Sequence, residues 1–336
     1  MLNRLAKRNQ GLVFFLAAYA AAWTLVAWMS DSALHFDVQE EMAWGREWPL
    51  WLYRHPPMKV WLLEIANHAT GFAVWTSFLL SVGLFGLCQW AIAQILEEAH
   101  SRELGFAAAI LNTSIYLFSL HIVLWNANTA QLAFAGLFVF GIWRALERGH
   151  LAWWLLAGAA AAGGMLSKVS FGTIVLAVTL AVVAFPLLRV RISWTRAVAG
   201  GLLALVLVAP TYWAMWENFD VVRRFAAGRM AYGGSGGLFG HLQAGILVLA
   251  SVAWMMILPL LAIWIGLRGE AGAAPPGAGT AMCRRRALLL LGAAGPGSLA
   301  VVFVIIAAGG GGFKDHWIMP NMAFLVPFAL LARSEE

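Results

Sequence analysis

The 336-residue chain has little charge: Asp, Glu, Lys and Arg make up 11% of it, whereas 62% of its residues are hydrophobic. This composition excludes a water-soluble domain and predicts an integral membrane protein. Long apolar runs between short charged loops indicate helices, because barrel strands would alternate over only about ten residues each. We predict an all-α polytopic membrane protein with one transmembrane domain over residues 1–336 and no soluble C-terminal domain.

Cysteine and metal-binding motifs are also scarce. The two cysteines, Cys88 in an apolar run and Cys283 in a loop, imply no disulfide framework. No HExxH, CxxC or Walker sequence occurs, and His55 and His316 lack ligand-like spacing. The Gly-rich segments 233–237 and 309–312 lack the strand-turn-helix context of phosphate loops. The sequence therefore contains no motif for a metal or other cofactor, and it leaves dependence on a divalent metal open.

Apolar runs of membrane-spanning length predict about ten transmembrane helices. The basic N-terminus followed by an apolar run resembles a signal peptide, but no small-residue cleavage pattern follows it, which favours a retained first helix. The predicted spans lie near residues 11–29, 71–95, 105–122, 130–146, 151–166, 169–188, 197–216, 241–267, 287–308 and 317–333.

The distribution of basic residues predicts the orientation. With a cytoplasmic N-terminus, fourteen of the 22 Lys and Arg residues face the cytoplasm. The other eight are Arg46, Arg54, Lys59, Lys168, Arg223, Arg224, Arg229 and Lys314. The positive-inside rule therefore places the first loop on the outer face, which is the periplasmic face of a bacterial inner membrane. The net charge of +6 follows from this topology and gives no reason to expect nucleic acid binding.

The predicted loops differ in chemistry. Residues 268–286 have the Gly, Ala and Pro composition of a flexible cytoplasmic linker. The outer loops 30–57 and 217–240 combine acids, bases and aromatics. Within the first, a helix over 37–48 would place Asp37, Glu41, Trp44 and Trp48 on one face. The tryptophans are typical of an interfacial anchor, but anionic headgroups repel carboxylates, so anchoring alone does not explain the acids.

Several cations are predicted to share the outer face with these acids. Lys168 ends a span, Arg223 and Arg224 lie with Arg229 beside a Gly-rich loop, and Lys314 precedes Asp315 and His316. Taken singly, Lys168 is explained by snorkelling, the arginines by a solvated surface, and Lys314 with Asp315 and His316 by a local ion pair. Taken together, they predict a pocket for an anionic ligand with a base nearby.

The same segments resemble a known family. The resemblance rests on six short motifs: Asp37-x-x-Glu40, Trp44-Gly45, His55-Pro56-Pro57-x-x-x-Trp61, Asn126-Ala-Asn128-Thr129, Gly163-x-x-x-x-Lys168 and Phe313-Lys314-Asp315-His316-Trp317-x-x-Pro320. This set resembles the polytopic GT-C glycosyltransferases of family 39, the bacterial relatives of protein O-mannosyltransferases. They include lipid A aminoarabinose transferases and lipopolysaccharide galacturonosyltransferases.

The chain departs from this family at three points. Val38 follows Asp37 where the family often has an Asp-Glu pair, so Glu40 or Glu41 must supply a second carboxylate. Asn126 and Asn128 stand where many members have an acid. The chain ends at Glu336, whereas most members continue into a soluble outer-face domain.

The resemblance implies transfer of a monosaccharide from a polyprenyl phosphate to an envelope acceptor, either a glycolipid such as lipid A or lipopolysaccharide, or a protein. Asp37 is then the expected base, supported by Glu40. Lys168 is the first candidate to bind the donor phosphate, followed by Arg223, Arg224 and Lys314. The expected substrate contacts are Glu41, His55, Asn128, Asp315 and His316.

Two alternatives stay open. A transporter or flippase for a polar or lipid-linked solute predicts broken helices and polar groups at mid-membrane depth. Pro210-Thr211-Tyr212 and Gly295-Pro296-Gly297 fit that pattern. A non-catalytic subunit would dock a partner through its Trp-rich face.

Overall fold

The structure is a computed structural model that describes residues 10–30, 34–231, 237–266, 278–309 and 313–334. Every regular element among these residues is a helix, which confirms the all-α class. The α-helices are α1 (Gln10–Ser30), α2 (Phe36–Gly45), α3 (Met58–Thr70), α4 (Thr76–Ala99), α5 (Arg102–Asn112), α6 (Tyr116–Ser119), α7 (Ala127–Arg148), α8 (Leu151–Ser167), α9 (Gly172–Ala184), α10 (Pro186–Arg189), α11 (Trp194–Glu217), α12 (Phe219–Ala231), α13 (Gly237–Gly266), α14 (Ala278–Gly292), α15 (Ser298–Gly309), α16 (Met319–Met322) and α17 (Leu325–Arg333).

Six helical segments among the described residues are long and apolar enough to cross a membrane: Gln10–Ser30, Thr76–Ala99, Ala127–Arg148, Trp194–Glu217, Gly240–Gly266 and Ala281–Gly309. Two shorter apolar helices cover Leu151–Ser167 and Val169–Ala184. The predicted spans near 105–122 and 317–333 are each divided into short helices. The count of ten spans therefore stays a prediction.

The core is a row of closely packed helices. Helix α7 packs against α4 and α8, and α8 also packs against α11. Glycine permits the close approach, because a Cβ atom on Gly136 would lie 2.7 Å from Cys88 Cα and one on Gly158 would lie 2.1 Å from the Gly200 carbonyl oxygen. Small residues at helix crossings are typical of membrane bundles.

Ion pairs join the helices at one end of this bundle. Glu98, near the end of α4, accepts hydrogen bonds from Trp143 Nε1 at 2.8 Å and Arg148 Nη2 at 3.0 Å. Arg144 Nη1 lies 2.9 Å from the same carboxylate. The segments around residues 35–57, 126–128, 168 and 314–317 lie at the opposite end. The structure thus separates the two sets of loops that the sequence assigns to opposite faces, while the side that each end faces stays a prediction.

The first predicted outer loop contains two helices. Helix α2 ends at Gly45, earlier than predicted, and Trp48 lies beyond it with a φ of 47°. Trp48 therefore does not continue the predicted face. Helix α3 begins directly after Pro57 and was not predicted. A small apolar core of Val38, Leu63, Trp125 and Ala130 holds both helices against the start of α7.

Two other predicted segments differ in part from the structure. The linker prediction for 268–286 covers residues 268–277, which lie outside the described residues, and residues 278–286, which are helical in α14. Of the predicted loop 217–240, residues 219–231 form α12, residues 232–236 lie outside the described residues, and Gly237 begins α13. Residues 31–33 and 310–312 also lie outside them.

Candidate functional site

The start of α2 presents a carboxylate at an exposed position. The His35 side chain caps the helix, with its Nδ1 atom accepting a hydrogen bond from the Asp37 backbone N–H at 3.3 Å. Asp37 lies in the first turn, where the helix dipole favours negative charge. Its side chain is 49% exposed. Asp37 is therefore held by the helix but open to a ligand.

Arg54 connects both acids of the predicted Asp37-x-x-Glu40 motif. Its Nη1 atom lies 2.5 Å from Glu40 Oε2 and 3.9 Å from Asp37 Oδ1. The guanidinium also lies 6.0 Å from the centroid of the Trp44 ring and 5.6 Å from that of Tyr53. Glu40 is therefore tied to Arg54, whereas Asp37 has the looser contact. The sequence motifs do not predict a role for Arg54 at the site.

Glu41 forms a buried ion pair. Its carboxylate accepts a hydrogen bond from Lys59 Nζ, and both side chains are almost fully enclosed. Burial raises the pKa of Glu41, while the charge of Lys59 acts in the opposite direction. In this arrangement Glu41 joins α2 to α3, and only 1% of its side chain is exposed. Its predicted role as a substrate contact stays a prediction.

A hydrogen-bonded cap positions Asn128 and Lys168. The Asn126 side chain accepts from the backbone N–H groups of Asn128 at 2.7 Å and Thr129 at 3.4 Å. Thr129 Oγ1 accepts from the Asn126 N–H at 3.0 Å, which completes a capping box at the start of α7. Asn128 Oδ1 accepts from Lys168 Nζ at 2.8 Å. The ammonium also lies 5.3 Å from the centroid of the Trp317 ring. The structure therefore unites three of the motifs quoted from the sequence.

His316 adjoins this cluster. Its ring stacks on His121 at a centroid distance of 5.3 Å and an angle of 20°, and its Nδ1 atom lies 3.6 Å from Asp315 Oδ1. Burial, with the neighbouring His121, Lys168 and Lys314, lowers the pKa of His316 to about 4 against the opposing charge of Asp315.

The start of α2 lies at the same end of the bundle as this cluster. Val38, next to Asp37, packs with Trp125 and Ala130 at the start of α7, where Asn128 meets Lys168. Asp37, Lys168 and His316 therefore lie at one end of the bundle. His121 was missed because it lies in an apolar stretch with no local motif.

The remaining predicted residues are more peripheral. Arg223 is exposed and lies 3.7 Å from Asp220, and Arg224 and Lys314 are also exposed. The ring centroids of Phe225 and Tyr53 lie 5.4 Å apart, so α12 contacts the segment next to Arg54. His55 is half-buried, and the Arg229 side chain lies outside the description. Within the described residues, no group of three or more His, Cys, Asp or Glu side chains has a metal-binding arrangement.

Part of the sequence matches a protein-family model. The model described as dolichyl-phosphate-mannose-protein mannosyltransferase matches residues 54–216, which include Arg54, Asn128 and Lys168. No curated protein sequence matches the chain significantly.

The fold resembles that of ArnT from Cupriavidus metallidurans. The crystal structure of ArnT bound to undecaprenyl phosphate aligns with a TM-score of 0.62 and 16% identity, covering 97% of this chain and 60% of ArnT. The apo structure aligns with a TM-score of 0.53 and 17% identity, covering 84% of this chain and 50% of ArnT. The chain thus spans 60% of the length of the first of these structures. The family match and the shared fold confirm the resemblance to GT-C glycosyltransferases that the sequence motifs predict.

Proposed function

We propose that this protein is a membrane glycosyltransferase that moves a monosaccharide from a polyprenyl-phosphate donor to an envelope acceptor. The acceptor classes are lipid A or lipopolysaccharide, another glycolipid, and a protein. The observation that supports the proposal is that an exposed carboxylate, Asp37, lies at the same end of the bundle as the cluster of Lys168, Asn128 and His316. The ArnT structure with undecaprenyl phosphate supports the choice of a lipid-linked donor.

The reaction is a substitution at the anomeric carbon of the sugar. A hydroxyl oxygen of the acceptor forms the new bond, and the bond to the donor phosphate breaks with its electron pair remaining on the phosphate. Asp37 takes the hydroxyl proton as general base. Attack from the face opposite the phosphate inverts the anomeric centre. If the acceptor is itself a phosphate, no deprotonation is needed and Asp37 orients a substrate instead.

Lys168 stabilises the departing phosphate. The negative charge on that group grows during the reaction, so a cation beside it favours the transition state over the ground state. Asn128 fixes the ammonium through its 2.8 Å hydrogen bond. Arg54 holds Glu40 and orients Asp37, while Lys314, Arg223 and Arg224 add positive charge at the rim.

We place the enzyme in a bacterial inner membrane, with a cytoplasmic N-terminus and a periplasmic site. The bias of basic residues supports this orientation. A lipid-linked donor suits that face, because nucleotide sugars are absent from it.

Transfer by reconstituted protein tests the site. Asp37→Asn and Lys168→Ala should each lower the rate of sugar transfer by about 100-fold or more, since each removes a group that acts in the transition state. The assay follows radiolabelled sugar from an undecaprenyl-phosphate donor into extracted envelope glycolipid in proteoliposomes. Mass spectrometry of envelope glycolipids and glycoproteins from a deletion strain identifies the sugar and the acceptor.

Arg191→Ala, an exposed substitution remote from the site, is the matched control and should transfer at the wild-type rate. Undiminished transfer by both site variants would overturn the assignment. Uptake of a solute into proteoliposomes without any sugar transfer would support a transporter instead.

A further inference from the structure

Two histidines from distant parts of the chain form a stacked pair at the site. His121 follows α6, whereas His316 lies in the 3-10 turn Asp315–Ile318. The Nε2 atom of His121 is buried and has no hydrogen-bond partner within the described part of the chain. The ring centroids of Tyr116 and His121 lie 6.1 Å apart. These contacts orient the His316 ring, and Lys168 Nζ lies 5.3 Å from the ring centroid of the adjacent Trp317.

The charged groups around the pair are mostly positive. Besides burial and His121, both Lys168 and Lys314 lower the pKa of His316, whereas Asp315 raises it. With its pKa near 4, His316 is neutral at neutral pH. A bound anion would raise the pKa of His316, because it adds negative charge beside a ring that is now surrounded mainly by cations.

We propose that His316 and Lys168 together contact the phosphate of the lipid-linked donor or its product, that His316 takes up a proton as this phosphate binds, and that His121 is a positioning residue for His316. This inference rests on the proposed function and deepens it. The phosphate of the donor is a diester with one negative charge, and that of the product is a monoester with up to two. The oxygens of both accept charge-assisted hydrogen bonds from ammonium and imidazolium groups.

Proton uptake makes binding depend on pH. The phosphate raises the pKa of His316 above its value of about 4 in the free protein. Between these two pKa values, affinity rises as the pH falls, by up to about tenfold per pH unit for one proton. Above the pKa of the complex, the contribution of His316 is lost and Lys168 alone supplies charge.

The test measures the affinity of the purified full chain in detergent for undecaprenyl phosphate at pH 5.5 and pH 7.5, by quenching of tryptophan fluorescence. We expect wild type to bind about fivefold or more tightly at pH 5.5. His316→Gln should bind weakly with no such difference. The titration of the ligand itself is common to all proteins, so the ratio of variant to wild-type affinity isolates the contribution of the protein.

Two substitutions of His121 test the positioning role. His121→Phe retains a ring for stacking and should keep most of the pH difference, whereas His121→Ala should lose it together with affinity. His150→Asn, an exposed histidine remote from the site, is the matched control and should behave as wild type. An unchanged pH difference in His121→Ala would overturn the positioning role.

The probes also separate the sources of phosphate. If inorganic phosphate binds with the same pH difference, the phosphate group suffices. If undecaprenyl phosphate binds and inorganic phosphate does not, the lipid tail contributes. Both outcomes support the proposal when His316→Gln removes the pH difference. A full pH difference in His316→Gln would overturn it. Tight wild-type binding without pH dependence defeats this inference alone, whereas no binding at either pH and no sugar transfer defeat the proposed function.

Discussion

The Glu41–Lys59 pair joins the two helices of the first loop through buried charges. Both charges are buried, so either one left alone would pay the cost of desolvation without a partner. Lys59→Met should therefore destabilise the protein by about 3 to 5 kcal/mol. Thermal unfolding in detergent, followed by tryptophan fluorescence, measures the effect.

The double variant Glu41→Leu with Lys59→Met provides the control for this prediction. Because it removes both charges, it should recover most of the lost stability. A double variant as unstable as the sum of the single variants would show that the two charges do not interact.

At the same scale, the sequence predicted residues with distinctive local patterns and missed those defined by distant contacts. Asp37, Asn128, Lys168 and His316 stand in recognisable motifs, and they lie at one end of the bundle. His121 acquires its place from His316, which is far away in the chain, and Arg54 acquires its place from Glu40, which lies on the preceding helix. No spacing rule within one segment reports such a contact.

Helices α8 and α11 cross with their backbones in close contact. Gly158→Ala should lower stability by about 1 to 3 kcal/mol, because the new Cβ would lie 2.1 Å from the Gly200 carbonyl oxygen and the backbones must separate. Gly201→Ala is the matched control, since no atom lies within 4 Å of its Cβ position. The control should be neutral or slightly stabilising. Equal melting temperatures for the two variants would contradict the tight crossing.

The helices that the sequence predicted are the apolar ones with uniform composition. Helix α3 was missed because Lys59 and Glu64 suggest a solvated loop, whereas both are buried. The predicted span over 105–122 breaks after Asn112, whose side-chain amide donates to Gln89 Oε1 and to the Ala323 carbonyl. Hydropathy cannot distinguish a buried charge from an exposed one, or a continuous apolar run from a broken one.

The Gly295-Pro296-Gly297 motif, which favoured a transporter, has a packing explanation. It forms a π-helical turn over Ala293–Gly297, and Ser298 Oγ donates to the Gly295 carbonyl at 3.1 Å. Asn321 Nδ2 donates to Ser298 Oγ at 2.7 Å. The irregular turn is therefore tied into the core by side chains that satisfy its backbone.

At the scale of the whole molecule, the two ends of the bundle make the orientation testable. In a Cys283→Ser background, Arg223→Cys should react with a membrane-impermeant maleimide added to intact cells depleted of their outer membrane. Arg191→Cys should react only after the inner membrane is opened. Cys88 is fully buried and adds little background. The reverse labelling pattern would invert the proposed topology.

The Glu98 cluster has a mechanical consequence. One carboxylate binds Trp143, Arg144 and Arg148, while Arg286 donates two hydrogen bonds to Glu147 at 2.5 and 2.9 Å, so α4, α7 and α14 are joined at the end remote from the site. At the site end, a single hydrogen bond joins Lys168 to Asn128 and ring stacking joins His121 to His316, while the Glu41–Lys59 pair joins α2 to α3. We therefore expect a bulky lipid to separate the long helices at the site end rather than at Glu98.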